Sequence, residues 1–201
     1  MDSTAWDERY AGADLVWSST PNVFVEEVVG PLPVGRALDV AAGDGRNAVW
    51  LAERGWRVTG ADFSPVAVER MRDIAVRRLG DDAGRLDAVV ADATQPAPGD
   101  GYDLVLFCYL QLPVQEWATA LARGVDAAAP GGLVLVVAHA ERNLAEGVGG
   151  PQDPAVLHDP EAVVASAHGL PVTVESAELR ERAVDGADRP ALDTLVLLRR
   201  T

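Results

Sequence analysis

The chain has 201 residues, 48% of them hydrophobic, and a composition that fits one domain with one full core over residues 1–201. Its 31 acidic residues outnumber its 17 basic ones, and the net charge of -14 argues against nucleic acids and membrane surfaces as partners. Cys108 is the only cysteine, which excludes an internal disulfide and a cysteine-based zinc site. The first residues lack the apolar core of a signal peptide, so we expect a cytoplasmic protein, monomeric or homodimeric.

The N-terminal residues predict two helices ahead of the first strand. Thr4 and Asp7 have the spacing of a capping box, and Thr20-Pro21 would cap a second helix that ends at Gly30. The aromatic segment between them contains Trp17. We interpret residues 1–33 as a helical lid, in which Trp17 either packs the helices onto the sheet or covers bound ligands.

Residues 37–48 predict a strand that runs into a glycine loop and then a helix. Gly43 and Gly45, with a small residue three positions further on, satisfy the relaxed dinucleotide fingerprint, in which pyrophosphate lies at a helix N-terminus. Against that interpretation, Asp39 and Asp44 would repel a pyrophosphate at short range. The same carboxylates would attract a ligand that carries an ammonium and a sulfonium, as S-adenosylmethionine does.

Asp39, Gly43 and Gly45 resemble the first motif of class I S-adenosylmethionine-dependent methyltransferases, an acid followed by glycines at alternate positions. Ala41 stands where that motif has its first glycine. This departure costs little only if the backbone of Ala41 keeps a negative φ. The resemblance to the superfamily spans about residues 36–137.

Within that superfamily, residues 45–65 look most like the tellurite-resistance branch of small-molecule methyltransferases. The resemblance implies methyl transfer by direct displacement to a small-molecule acceptor, with S-adenosylhomocysteine as the product and no metal. In such a reaction alignment and desolvation supply most of the rate, so no acid or base is obligatory. Two alternatives stay open: an NAD-dependent oxidoreductase and a non-catalytic S-adenosylmethionine-binding subunit.

Acidic residues follow the next two predicted strands. Asp62 comes nearly twenty positions after the first glycine, where a carboxylate can accept two hydrogen bonds from ribose hydroxyls, and Ser64 is then free to cap the helix 65–79. Asp92 resembles the acid that accepts the adenine amino group in the superfamily. The residues predicted to bind the cofactor are Trp17, Asp39, Ala41, Gly43, Gly45, Asn47, Asp62, Phe63, Asp92, Ala93 and Phe107.

The predicted fold class is α/β, a Rossmann-like seven-stranded class I methyltransferase sheet. Strands beginning near residues 36, 57, 86, 103 and 132, each followed by a helix or crossover, predict the parallel part. Residues 172–182 and 192–200 alternate around Asp185-Gly186 and predict a C-terminal antiparallel hairpin.

The acceptor side of the site is predicted from the ends of the fourth and fifth strands. Residues 107–113 should open toward the methyl-transfer centre, and Cys108 there is interpreted as an inert thiol. His139 is a candidate general base or hydrogen-bond donor to the substrate, or a histidine whose hydrogen bonds are made by Glu141 or the backbone. Arg142 is a candidate partner for an anionic acceptor. We expect Trp17, His139 and Arg142 to approach one cavity around the transferable methyl.

Overall fold

The computed structural model describes Asp7 and residues 20–201. The first predicted helix, its cap at Thr4 and the predicted ligand cover Trp17 lie outside the described residues. The strands are β1 (Arg36–Val40), β2 (Arg57–Asp62), β3 (Leu86–Val90), β4 (Tyr102–Cys108), β5 (Ala128–His139), β6 (Val172–Arg182) and β7 (Ala191–Arg200). The helices are α1 (Val23–Val29), α2 (Arg46–Glu53), α3 (Pro65–Leu79), α4 (Val114–Ala127), α5 (Asn143–Glu146) and α6 (Pro160–Ser166).

The strands form one seven-stranded sheet in the order β3-β2-β1-β4-β5-β7-β6. Strands β1 to β5 pair in parallel, whereas β7 is antiparallel to both of its neighbours. The predicted α/β fold class, with its parallel sheet and C-terminal antiparallel hairpin, is therefore confirmed. No helix within the described part of the chain is long and apolar enough to cross a bilayer.

Helices cover both faces of this sheet and bury two apolar layers. Side chains on a strand alternate between faces, so Leu104 and Leu106 of β4 face one layer and Val105 and Phe107 face the other. The first layer includes residues of α1, α2 and α3, and the second includes residues of α4 and α6. Loops at the carboxyl ends of the parallel strands are left free to form a site.

Two local predictions were wrong in detail. The N-cap of α1 is Asn22 rather than Thr20, because the Asn22 side chain accepts hydrogen bonds from the backbone N–H groups of Phe24 and Val25. The fifth strand begins at Ala128, about four residues earlier than predicted, since Ala128 pairs with Tyr102 before a register shift. The cap of α3 is as predicted: Ser64 Oγ accepts from the N–H of Ala67.

Candidate active site

A cleft of about 890 Å³, its open mouth included, lies at the carboxyl ends of β1, β2, β3 and β4. This is the edge at which parallel α/β sheets bind ligands. Its lining residues come from the glycine loop, from α2, and from the segments that follow the other three strands. They are Ala41, Ala42, Gly43, Arg46, Asn47, Asp62, Phe63, Ala91, Asp92, Ala93, Cys108, Tyr109, Leu110, Gln111 and Leu112.

The two glycines of the loop have different roles. Gly43 lines the cleft with φ 59°, and its N–H donates to Asp62 Oδ2 at 2.8 Å. Gly45 has φ 88° and does not line the cleft; a Cβ there would lie 2.4 Å from Cγ of Met71 on α3. Gly45 therefore permits α2 and α3 to pack closely, and Gly43 exposes bare backbone to a ligand.

Ala41 does not have the negative φ that would make alanine favourable at this position. Its φ is 56°, in the left-handed region that glycine adopts without strain. The condition that Ala41 keeps a negative φ is therefore not met. In the resembled motif a glycine stands at this position, where a positive φ costs it nothing. The loop of this protein also has a positive φ here, and alanine adopts it with strain.

Replacing Ala41 with glycine should stabilise the protein. Relief of the left-handed strain, about 1–2 kcal/mol, exceeds the entropic cost of a glycine, about 0.4–1 kcal/mol, so we expect a net gain of about 0.5–1 kcal/mol. Urea unfolding at equilibrium measures it. The matched control is Ala42→Gly, next to it in the loop but without a positive φ, which should destabilise the protein. Destabilisation by both substitutions would contradict the strain argument.

Asp62 and Asp92 present carboxylates to the cleft from the ends of β2 and β3. Asp62 is buried, and its oxygens accept from the N–H groups of Gly43 at 2.8 Å and Ser64 at 2.9 Å. Asp92 Oδ1 accepts from the N–H and the hydroxyl of Thr94, both at 2.8 Å. Each ionised carboxylate has lone pairs left for a ligand hydroxyl or amine.

Asp39 lies next to the cleft without lining it. Its side chain is 1% exposed, and neither carboxylate oxygen has a hydrogen-bond partner. Burial raises the pKa of Asp39 to about 7, against the opposing charge of Arg46 and with a smaller contribution from the charge of Asp62. A buried carboxyl with this pKa is well matched to a cationic group of a ligand, which would favour its ionised form.

Asp39→Asn should stabilise the ligand-free protein, and more so at alkaline pH. The folded-state pKa of Asp39 lies above the unfolded value of 3.8, so ionisation of this group lowers stability as pH rises through about 4 to 7. Asparagine cannot ionise. The gain in unfolding free energy should therefore be about 2 kcal/mol larger at pH 8 than at pH 5. Equal effects at the two pH values would show that Asp39 has an ordinary pKa.

Seven of the predicted cofactor-binding residues meet at the cleft: Ala41, Gly43, Asn47, Asp62, Phe63, Asp92 and Ala93. Phe107 does not line the cleft. Its side chain is fully buried on the face of β4 that packs against α4 and α6, where its ring makes an edge contact with the ring of Trp117, with centroids 5.5 Å apart. A Cβ at Gly124 of α4 would lie 2.5 Å from Phe107 Cζ, so this ring fills the core. The expected place of Phe107 on the ligand side was wrong.

The two residues predicted from the end of β5 have different positions. His139 is the last residue of β5 and Arg142 follows this strand, both at the ligand edge of the sheet, but neither lines the cleft. Arg142 is exposed, and its Nε lies 3.8 Å from Asp159 Oδ2, so the expected approach to the cavity was wrong for this residue. His139 stacks on the cleft residue Tyr109, with ring centroids 4.2 Å apart.

Eight lining residues were not among the predicted site residues, namely Ala42, Arg46, Ala91, Cys108, Tyr109, Leu110, Gln111 and Leu112. The last five form the end of β4 and the segment after it, which the sequence placed at the methyl-transfer centre only as a whole. Arg46 begins α2, where helix N–H groups and a guanidinium together favour an anion. Burial raises the pKa of Cys108 to about 11, which agrees with an inert thiol.

Among residues 20–201 and Asp7, no cluster of three or more His, Cys, Asp or Glu side chains could hold a metal.

The sheet order with a reversed β7, and the glycine loop that opens at its carboxyl edge, define the fold of class I methyltransferases. Residues 37–132 match the model of a methyltransferase domain family. The demethylmenaquinone methyltransferase of Clavibacter sepedonicus is 35% identical over 127 residues, 62% of this chain and 48% of that protein. The chain spans about half the length of the curated relatives it matches.

Solved structures share the fold over nearly the whole chain. The N-methyltransferase NodS from Bradyrhizobium japonicum WM9, in complex with S-adenosyl-L-homocysteine, has a TM-score of 0.74 at 16% identity, covering 100% of this chain and 99% of its own. A structure described for the conversion of a disulfide bond into a thioacetal group during echinomycin biosynthesis has a TM-score of 0.72 at 23% identity, covering 98% and 91%. At sequence identities this low, the structural similarity shows a shared fold and no more.

Proposed function

We propose that this protein transfers a methyl group from S-adenosylmethionine to a small-molecule acceptor. The observation that carries the proposal is the charge of the cleft. Two carboxylates, Asp62 and Asp92, line it, a buried third, Asp39, lies beside the glycine loop, and Arg46 stands at the start of α2. This distribution suits a ligand that has a ribose, an adenine amino group, an ammonium and a carboxylate.

The residues present can hold each part of that cofactor. Asp62 would accept hydrogen bonds from the ribose hydroxyls, and Asp92 from the adenine amino group, with Phe63 and Ala93 against the nucleoside. Asp39 would attract the ammonium. Arg46 and the N-terminus of α2 would bind the carboxylate. Bound S-adenosylmethionine would supply an electrophilic methyl on a positively charged sulfur.

The chain's own contribution is alignment and exclusion of water. The segment after β4 supplies an apolar wall through Leu110 and Leu112 and one amide, Gln111. Asp7 accepts a hydrogen bond from Ser64, two residues beyond Asp62. That contact supports residues 1–33 as the lid over the cleft, within one domain over residues 1–201. Displacement at a sulfonium methyl requires orientation more than proton transfer, so few reacting side chains are needed.

The acceptor is proposed only as a class, a small organic molecule that fits the partly apolar cleft. The curated relatives are named for demethylmenaquinone, which agrees with such an acceptor. The resemblance of residues 45–65 to the tellurite-resistance branch would instead favour a smaller one. Arg142 pairs with Asp159 at the surface, so the earlier reason to expect an anionic acceptor is weaker.

An NAD-dependent oxidoreductase fits the cleft less well. The pyrophosphate of a dinucleotide would lie at the glycine loop, close to Asp62 and the buried Asp39. Ionised carboxylates at that range would oppose binding of a second anionic group in a partly desolvated site. Arg46 alone would have to offset them.

Isothermal titration calorimetry distinguishes the two proposals. S-adenosylmethionine and S-adenosylhomocysteine should each bind at one site per chain, and NAD should give no heat of binding at concentrations up to about 1 mM. Tight binding of NAD with no interaction with either sulfur nucleoside would overturn the proposed function. Binding of the sulfur nucleosides without methyl transfer to any acceptor tried would favour a non-catalytic subunit.

A further inference from the structure

Tyr109 is a residue of the cleft that contacts side chains from several separate elements of the fold. It follows β4 directly, lines the cleft, and has φ 61°, a conformation that a bulky side chain rarely adopts. Its own N–H donates to the carbonyl of Val137 at 2.8 Å, which fixes the backbone beside β5. Such strain persists only where the surroundings over-determine the conformation, and it is concentrated at functional sites.

The hydroxyl of Tyr109 is fully occupied by protein groups. It accepts hydrogen bonds from Arg182 Nε and Asn22 Nδ2, both at 3.1 Å, and donates one to Asp193 Oδ2 at 2.8 Å. A hydroxyl has one proton and two lone pairs, so none is left for a ligand. Burial, followed by the charge of Asp193, raises the pKa of Tyr109, which keeps the phenol neutral. The part of Tyr109 available to the cleft is therefore its ring.

His139 stacks on the ring of Tyr109. The imidazole is nearly parallel to the phenol ring, with centroids 4.2 Å apart, and its Nδ1 lies 3.3 Å from Asp193 Oδ1. Gly150 lies against the imidazole, since a Cβ there would be 3.2 Å from Nδ1. His139 touches Tyr109 and does not line the cleft, so the geometry gives it a positioning role.

The environment of Tyr109 makes its ring attractive to a cation. A phenol that donates its proton toward a carboxylate gains electron density, and the face of an aromatic ring attracts positive charge. Two guanidinium carbons already lie close to the ring centroid, Arg46 Cζ at 5.7 Å and Arg182 Cζ at 5.8 Å. Arg46 lines the cleft together with Tyr109, so a cationic residue of the cleft lies near this ring.

We propose that the ring of Tyr109 is the aromatic wall on which the positively charged sulfur of S-adenosylmethionine packs, and that His139 and Asp193 position this ring. The inference rests on the proposed function and deepens it. It replaces Trp17 as the aromatic group beside the sulfonium and His139 as a general base. It also distinguishes the two sulfur nucleosides, because S-adenosylhomocysteine is a neutral thioether at that atom.

The test is the ratio of the two affinities, measured by calorimetry on the full chain. Tyr109→Leu should weaken binding of S-adenosylmethionine about five- to tenfold and change binding of S-adenosylhomocysteine less than twofold. Tyr109→Phe keeps a ring and should retain most of the ratio. His139→Ala should lower the ratio by about threefold, and His139→Phe, which preserves the stack, should restore it.

Phe63→Leu is the matched control, because Phe63 is an aromatic residue that lines the same cleft at the end of β2. The two ligands share their adenosine, so this substitution should weaken both equally. Equal losses for both ligands in Tyr109→Leu, or no loss, would overturn the inference and leave the proposed function intact. Failure of the unmodified protein to bind either ligand would contradict both. Retained affinity for S-adenosylhomocysteine shows that the Tyr109 and His139 variants are folded.

Discussion

Asp62→Asn should weaken binding of S-adenosylhomocysteine by about 10- to 50-fold, or roughly 2 kcal/mol. The carboxylate accepts from the N–H groups of Gly43 and Ser64 and also faces the cleft. An amide in its place turns one acceptor into a donor that faces an N–H group, and it removes the charge that would bind ribose hydroxyls. Because Asp62 also fixes the glycine loop, asparagine is a better test than alanine, which would free the loop entirely.

The control for Asp62 is Asp92→Asn in the same cleft. Both substitutions remove one negative charge, but Asp92 Oδ1 is held by Thr94 alone and the residue is exposed. We therefore expect a loss of only about three- to fivefold for Asp92→Asn. Calorimetry measures both affinities, and equilibrium unfolding measures stability. If the two variants lose affinity equally, the effect is one of net charge, and the specific contact of Asp62 with the ligand is refuted.

Asp193→Asn should lower the free energy of unfolding at pH 7 by about 2–4 kcal/mol. Asp193 is fully buried on β7, and its Oδ2 accepts from Arg182 Nε at 2.6 Å and from the hydroxyl of Tyr109. Burial alone would raise the pKa of this carboxyl, but His139 Nδ1 at 3.3 Å and the hydrogen bond from Arg182 hold it below its ordinary value. The neutral amide would leave the partly buried guanidinium without a counter-charge.

The pH dependence of this effect follows from the direction of the shift. A depressed folded-state pKa gives stability that is present above the unfolded value of 3.8 and is lost as pH falls through the lower folded value. The stability difference between the variant and the unmodified protein should therefore begin to shrink below about pH 4 and vanish only below the folded-state pKa of Asp193. Glu27→Gln is the control: it breaks an exposed ion pair with Arg180 and should cost only a few tenths of a kcal/mol.

The sequence predicted the parallel part of the sheet well because its strands are largely apolar segments bounded by turn residues. The helix after Ser64 begins and ends where its cap and its periodicity indicated. The first cap of the described chain was misplaced because Thr20 and Asn22 both have side chains that can cap a helix. Which one does so depends on the tertiary contact of Asn22 with Asn47 and Tyr109.

Much of the lining of the cleft could be predicted because its residues are consecutive in motifs. Asp62-Phe63 and Asp92-Ala93 each lie at the end of a strand, and the edge of a parallel sheet brings them together. Phe107 was misassigned by one step of the strand alternation, which turned its side chain to the opposite face. The φ of Ala41 could not be read from the sequence, because only the closed loop forces it to be positive.

The cluster around Tyr109 could not be predicted because it is assembled across four strands. Tyr109, His139, Asp193 and Arg182 follow or belong to β4, β5, β7 and β6, and they meet only when the C-terminal hairpin pairs with β5. Asp193 and Arg182 lie in strands that carry no recognisable motif. A buried ion pair of this kind becomes visible only once the register of the hairpin is known.

A crystal structure of the protein with S-adenosylhomocysteine tests the central claim most directly. We predict ordered density in the cleft, with the ribose at Asp62, the adenine near Asp92 and the amino-acid tail at Gly43 and Arg46. Density for the nucleoside elsewhere on the protein would contradict the account, as would a cleft that stays empty under saturating ligand.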